Sequence, residues 1–176
     1  MNAAVEAAHL LLAVAALGDA AAGTSVTPTL LKAGSTTNTV PAGAEFAVDV
    51  RVRTIAEQDR VDAAIRAIAP TLPGAVIRVE GGANRRPMER ESSAALFAEA
   101  VAIAEAAGLT PFEGVAVGGA SDGNFTAGLG VPTLDGLGAV GGGAHADDEH
   151  VIVAMIPERI ALLHGLLSAA LPGGRA

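Results

Sequence analysis

The chain has 176 residues, a length that suits one domain or two small ones with a buried core. Hydrophobic residues make up 51% of it, which excludes a disordered tail, and the lack of Cys excludes disulfides, thiolate nucleophiles and Cys-ligated zinc. Its 11 basic and 19 acidic residues leave a formal charge of -8, with 2% aromatic content and no Trp or Tyr, a balance that argues against nucleic-acid partners.

Residues 2–17 are expected to form a helix that starts without a capping lead-in, with Val5, His9, Leu12 and Ala16 at helical spacing and Gly18 as the residue that ends it. The apolar run 10–17 is far shorter than the roughly 20 residues of a bilayer span. Glu6, with no Lys or Arg nearby, has the wrong charge for the start of a signal peptide. A cytoplasmic chain with no membrane partner is the expectation. Residues 25–32 read as a strand rich in β-branched side chains, and 45–53 as a clearer one. In the latter, Phe46, Val48, Val50 and Val52 alternate with Ala47, Asp49, Arg51 and Arg53.

The segment 34–43, which contains Pro41, connects these strands. A helix is expected over 57–72 with Val61, Ile65, Ile68 and Leu72 on one stripe, ended by Pro73-Gly74, and a short strand over 75–80. Residues 81–89 are polar and basic, with Arg85, Arg86 and Pro87, and read as a linker. An amphipathic helix over 91–107 closes at Gly108. Short strands are expected over 112–117 and 131–134, with a loop and a short helix between them. Pro157 suits the first turn of a last helix lined by Ile160, Leu163, Leu167 and Leu171. The order α-β-β-α-β, then α-β-α-β-loop-α, is that of an α/β chain. Both halves are thin: a ferredoxin-like unit needs one more strand before Asn2, and two strands are few for three helices.

Several stretches are able to carry chemistry. Gly118-Gly119-Ala120-Ser121-Asp122 lies between an expected strand and a short helix. Its glycines let backbone N–H groups approach an anion, with Ser121 or Asp122 as cap; the alternative is a plain tight turn. His145 follows a glycine run and precedes Asp147, Asp148 and Glu149. An imidazole so presented either ligates a metal, with a carboxylate orienting its second nitrogen, or is a surface residue. His150 lies five residues on and shares no helical face with it, and His9 and His164 read as helix-surface residues. The letters of a dinucleotide fingerprint over 136–141 run into more glycine instead of opening a helix, so the match is accidental. Arg51 lies on the polar side of its strand, either as a bidentate carboxylate clamp or as an exposed arginine beside Asp49 and Arg53. Asn38 precedes Val40-Pro41 at the mouth of that strand.

In combination, N-x-V-P-A-x-A-x-F-x-V-D-V-R (38–51), G-G-A-S-D-G-N-F (118–125) and the run from Val131-Pro132-Thr133 through Gly143-Ala144-His145 to Glu149 resemble a known family. It is the dinuclear-zinc metallopeptidase and amidohydrolase family that includes glutamate carboxypeptidase, acetylornithine deacetylase and succinyl-diaminopimelate desuccinylase. The resemblance implies a ferredoxin-like lid that mediates homodimerisation, lacking its first strand, over 1–85, and the C-terminal part of an α/β catalytic domain over 86–176. It implies His145 as a metal ligand and Arg51, with Asn38 beside it, as binders of the substrate carboxylate. Arg86, Gly119 and Ser121 match segments that also hold that carboxylate. The implied substrate is a small peptide or N-acyl amino acid, and the implied metal is zinc, two per intact site, with cobalt or manganese suited equally by one histidine.

The family's His-x-Asp ligand pair, bridging Asp, Glu-Glu pair, further acidic ligand and lid histidine have no counterpart here and are expected upstream of Met1. The expectation is therefore a fragment of a hydrolase, inactive as this chain alone because no general base is present. The alternative is a non-catalytic dimerisation module that pairs through an edge strand.

Overall fold

The computed structural model describes residues 1–171. Helix and strand are mixed, and the chain divides into two compact units, Met1–Glu89 and a second from Arg90.

In the first unit, α1 (Ala3–Ala15) does have a lead-in. The side chain of Asn2 accepts from the N–H groups of Ala4 and Val5, satisfying donors that a helix start leaves open. The packed stripe is Ala3, Glu6, Ala7, Leu10 and Val14, not the expected Val5, His9, Leu12 and Ala16; Leu12 is 69% exposed. Every residue of α1 except Glu6 and His9 is Ala, Val or Leu, so apolar periodicity does not select a face. The buried Glu6 does. Its two carboxylate oxygens accept from the backbone N–H groups of Thr71 and Leu72, each at 2.8 Å, which fixes the rotation of the helix. Gly18 is not left-handed, contrary to expectation; Gly23 is, at φ 70, in the turn that follows.

Strands β1 (Ser25–Ala33) and β2 (Ala44–Arg51) pair antiparallel, from Ser25 opposite Arg51 to Ala33 opposite Ala44. The register slips between Pro28 and Leu30, where the proline has no N–H to offer the ladder. Phe46 and Val48 face inward as the alternation predicts. The connection 34–43 closes against α1 through the Ala3 N–H and the Pro41 carbonyl, 3.0 Å apart.

Helix α2 (Ile55–Arg66) is capped by Thr54, whose hydroxyl accepts from the Glu57 N–H. It stops well short of Leu72. Pro70 cannot donate to the Arg66 carbonyl and disfavours helix at Ala69, a stop signal that lies upstream of Pro73-Gly74. One core unites these elements: Val14, Val26 and Val61 are buried, with Leu17, Phe46, Val48, Ile65 and Ile68 packed on them. The expected strand over 75–80 joins no ladder among the described residues, and Val76 is 91% exposed. A strand needs a neighbour for its backbone groups, and this segment has none.

In the second unit, α3 (Arg90–Ala106) ends at a left-handed Gly108, with the Leu109 N–H reaching back to the Ala104 carbonyl at 2.9 Å. Then come α4 (Gly123–Gly128), the two-residue strands β3 (Gly141–Gly142) and β4 (His150–Val151), and α5 (Ile156–Ala170), with Pro157 in its first turn. The expected strands over 112–117 and 131–134 belong to no ladder among the described residues. Phe112 and Leu134 nevertheless pack on the core of Ala100, Ala104 and Leu162, and Phe112 meets Phe97 edge-on with centroids 6.0 Å apart. The face of α5 that packs carries Leu162 and Leu166, whereas Ile160, Leu167 and Leu171 of the expected stripe are exposed. Gly165 decides this face, because it lets Ile103 of α3 lie against the α5 backbone. By length and composition alone, Val153–Ala170 also suffices to cross a membrane, with mean hydropathy 1.3.

Two outcomes follow from these contacts. A Cβ at Gly165 would collide with Ile103 Cγ2, so Gly165→Ala forces α3 and α5 apart. Its cost, read by urea denaturation, is about 1–3 kcal/mol, and an unchanged midpoint would show that the helix contact is loose. The second concerns Glu57, which accepts from Thr24 Oγ1 at 2.6 Å and from Nε and Nη2 of Arg60, both at 2.8 Å. Arg60, and after it the Thr24 hydroxyl, hold the Glu57 carboxyl down to about 2 from its ordinary 4.5. A carboxyl with a depressed folded-state pKa stabilises the fold fully above its unfolded value and loses that contribution as pH falls through the folded one. Wild type should therefore lose more stability than Glu57→Gln as pH is lowered from 4.5 to about 2. Parallel pH–stability curves would remove Glu57 from the account.

Candidate functional site

Arg51 is the last residue of β2, opposite Ser25, whereas Asn38 lies in the connection at the other end of the hairpin. At about 3.3 Å per residue, the length of β2 holds them on the order of 20 Å apart. The hairpin thus carries the two at its opposite ends. Arg51 Nε donates to Asp49 Oδ2 at 2.8 Å, an i, i+2 pair on one strand face with both side chains about half exposed.

Arg86 lies in the segment before α3, where no ladder or helix sets its direction. Its Nη1 donates to Asp59 Oδ1 at 2.5 Å and to Gln58 Oε1 at 3.2 Å, both on α2. Gln58 Nε2 in turn donates to the Arg85 carbonyl at 2.7 Å, and Glu89 Oε1 accepts from the Ile55 N–H at 2.8 Å. Four contacts thus fasten 85–89 along the first turns of α2. A shallow depression elsewhere in this unit is lined by Leu17, Asp19, Glu57 and Arg60, and it contains none of the expected residues.

In the second unit, Gly119 sits in an exposed bend where an added Cβ would meet nothing. Ser121 is held from several sides. Its N–H donates to Asn124 Oδ1 at 2.9 Å, its oxygen accepts from the Gly123 N–H at 3.1 Å, and its hydroxyl donates to Asp135. Of the two capping candidates, Ser121 therefore serves α4, while Asp122 makes no side-chain cap bond. Asp135 also accepts from the Gly136 N–H at 2.7 Å. The Ser121 hydroxyl first, then that N–H, hold its carboxyl below the usual range. Arg159 on α5 donates to the carbonyls of Gly136 and Gly138, which fastens the glycine run as a loop and leaves no helix there for a dinucleotide.

His145 occupies the turn between β3 and β4 at φ 67, the only non-glycine residue with positive φ among those described, and is exposed. Left-handed backbone at a histidine costs energy and is over-represented where function imposes it. His150 on β4 places Nδ1 2.9 Å from the Asp148 carbonyl. Among the described residues no group of three or more His, Asp or Glu is placed to hold a metal ion.

A model of peptidase family M20/M25/M40 matches residues 6–169. Carboxypeptidase G2 of Pseudomonas sp. (strain RS-16) is 34% identical over 167 residues. The chain belongs to peptidase family M20/M25/M40. The aligned stretch covers 91% of the chain, which spans only 40% of the length of that relative.

Sequence reasoning for this M20/M25/M40 member missed Gln58, Asp59, Asn124, Asp135 and Arg159. The spacing of Ser121 and Asn124 and the turn-forming pair Asp135-Gly136 are local signals that point to two of them. The others act across long stretches of chain and leave no local trace. Replacing Ser121 by Ala removes the first cause of the Asp135 shift, so the Asp135 titration midpoint, followed by carbon NMR of its carboxyl, should rise toward the ordinary value of 3.8. An unmoved midpoint would mean that the hydroxyl bond is not made in solution.

Proposed function

We propose that the chain supplies substrate-holding residues of a metal-dependent hydrolase that cleaves amide bonds in peptides or N-acyl amino acids. The observation that carries this reading is the family match over 6–169, which runs through every residue singled out from the sequence. The name of the relative, a carboxypeptidase, adds a substrate with a free carboxylate. Arg51 and Arg86 suit that group, since a guanidinium offers a planar fork of N–H donors to a carboxylate. Asn38 in the first unit and the loop with Gly119 and Ser121 in the second are each assigned to substrate binding by resemblance alone, and the first unit to a ferredoxin-like lid through which a homodimer forms in the cytoplasm.

Zinc is the metal that the family implies, and His145 is one donor for it. The donor set among the described residues does not fit a pair of zinc ions, because one exposed imidazole outside any group of three or more such donors does not fill a tetrahedral site. No chemical step is therefore assigned to these residues. Their work is binding and orientation, and this chain by itself is not expected to hydrolyse an amide.

A second reading, a non-catalytic dimerisation module, is favoured by the two-stranded β1–β2 sheet, whose outer edges have no strand neighbour among the described residues. Calorimetry of the purified chain with N-acetyl-L-glutamate separates the two. The first reading expects weak binding that falls about tenfold or more in Arg51→Ala and Arg86→Ala. Binding untouched by both replacements, together with a stable dimer, selects the second. Hydrolysis of the probe with zinc bound would overturn the claim that the chain alone is inactive. In an enzyme complete in its ligands, Arg51→Ala should raise KM more than it lowers kcat, the mark of lost positioning.

A further inference from the structure

Resting on the assignment of Arg86 to a substrate carboxylate, we infer that Gln58 and Asp59 of α2 are positioning residues that set the plane of the Arg86 guanidinium. Arg86 belongs to a segment without regular structure, so its side chain needs a fixed point elsewhere. Pro87 restricts the Arg86 backbone to extended conformations, which settles where the side chain starts. Gln58 then holds both the backbone that leads into Arg86 and the Arg86 side chain: its amide nitrogen donates to the Arg85 carbonyl at 2.7 Å, and its amide oxygen accepts from Arg86 Nη1 at 3.2 Å. Asp59 receives the same Nη1 from the next position of the helix. Two acceptors on one guanidinium nitrogen, both anchored on a helix turn, fix the plane as well as the position of the group. Carboxylate recognition by parallel N–H bonds depends on that plane.

The Arg86–Asp59 pair is about half exposed, with side chains 45% and 62% accessible, and such pairs add little to stability. Its effect is therefore on orientation. That separates a positioning role from a structural one: affinity should change where the unfolding midpoint does not.

The test uses the full chain with N-acetyl-L-glutamate as probe, and nitrogen NMR of the Arg86 Nε–H group. Asp59→Asn and Gln58→Ala are expected to weaken binding about threefold to fivefold, the scale that an exposed ion pair supports, with an unchanged urea midpoint. Asp59→Glu should restore part of the loss. The Arg86 Nε–H vector should be ordered in wild type and mobile in Asp59→Asn. Binding as tight as wild type, or tighter, in Asp59→Asn overturns the inference, since Asp59 would then be a competitor for Arg86 and not its guide. If Arg86→Ala leaves binding unchanged, or wild type does not bind the probe, the substrate assignment fails by itself, and the NMR arm still decides: an Nε–H vector equally ordered in wild type and both variants sinks the positioning claim.

Discussion

The ladder between β1 and β2 is the constraint on which the first unit is assembled. Its inward residues Val26, Phe46 and Val48 receive Val14 from α1 and Val61 from α2. Its far connection closes on the start of α1 through Pro41. The helices are tied to the surrounding chain by carboxylates, Glu6 to the backbone of 71–72 and Glu57 to the buried Thr24. So small an apolar core, with few side chains fully enclosed, leaves specificity to these polar ties: each fixes one rotation or one approach that Ala and Val side chains leave open. The same ladder sets the geometry of the candidate binding residues, because it carries Arg51 at one end and the connection with Asn38 at the other.

The second unit relies on close approach instead. Ala100 and Ala104 on α3, and Gly165 on α5, are small enough for the two helices to meet nearly backbone to side chain. That contact determines which side of α5 is inside, and it overrides the broader stripe of Ile160, Leu163, Leu167 and Leu171. The first turn of α5 then reaches outward, with Glu158 accepting from Thr110 and Arg159 from α5 donating to the carbonyls of Gly136 and Gly138. One helix start thereby fastens two loops.

These features explain how much was legible in the sequence. The helices and the two long strands announce themselves locally, through Gly108 and Pro157 as punctuation and the alternation around Phe46 and Val48. The shorter strands over 75–80, 112–117 and 131–134 were apolar in pattern, but pairing is a property of two segments and not of one. Phe112 and Leu134 turned inward as the pattern suggests, while Val115 and Val117 found no ladder and face out. The face of α1 was illegible for the opposite reason, since nearly every position satisfied the apolar pattern and a single buried acid settled the matter. At the candidate site the donors were visible as motif letters. Their partners were not, because Asp59 lies 27 residues from Arg86.

Those partners share a chemistry. Arg51 meets Asp49, Arg86 meets Asp59, and the Ser121 hydroxyl meets Asp135. In a chain with a formal charge of -8, the carboxylate of the proposed function would therefore reach each donor against a local negative charge. For the two arginines this is no barrier, since an exposed ion pair is worth at most about 1 kcal/mol and its acid need not leave for a planar guanidinium to bind a second acceptor. What the acids do is remove rotamer freedom that a ligand would otherwise have to quench, and an arginine held in place before binding loses less entropy on binding. Ser121 differs, because a hydroxyl has one hydrogen, and that hydrogen is given to Asp135. Its N–H is likewise given to Asn124, so under the proposed function the side chains best suited to hold a carboxylate are the two guanidiniums.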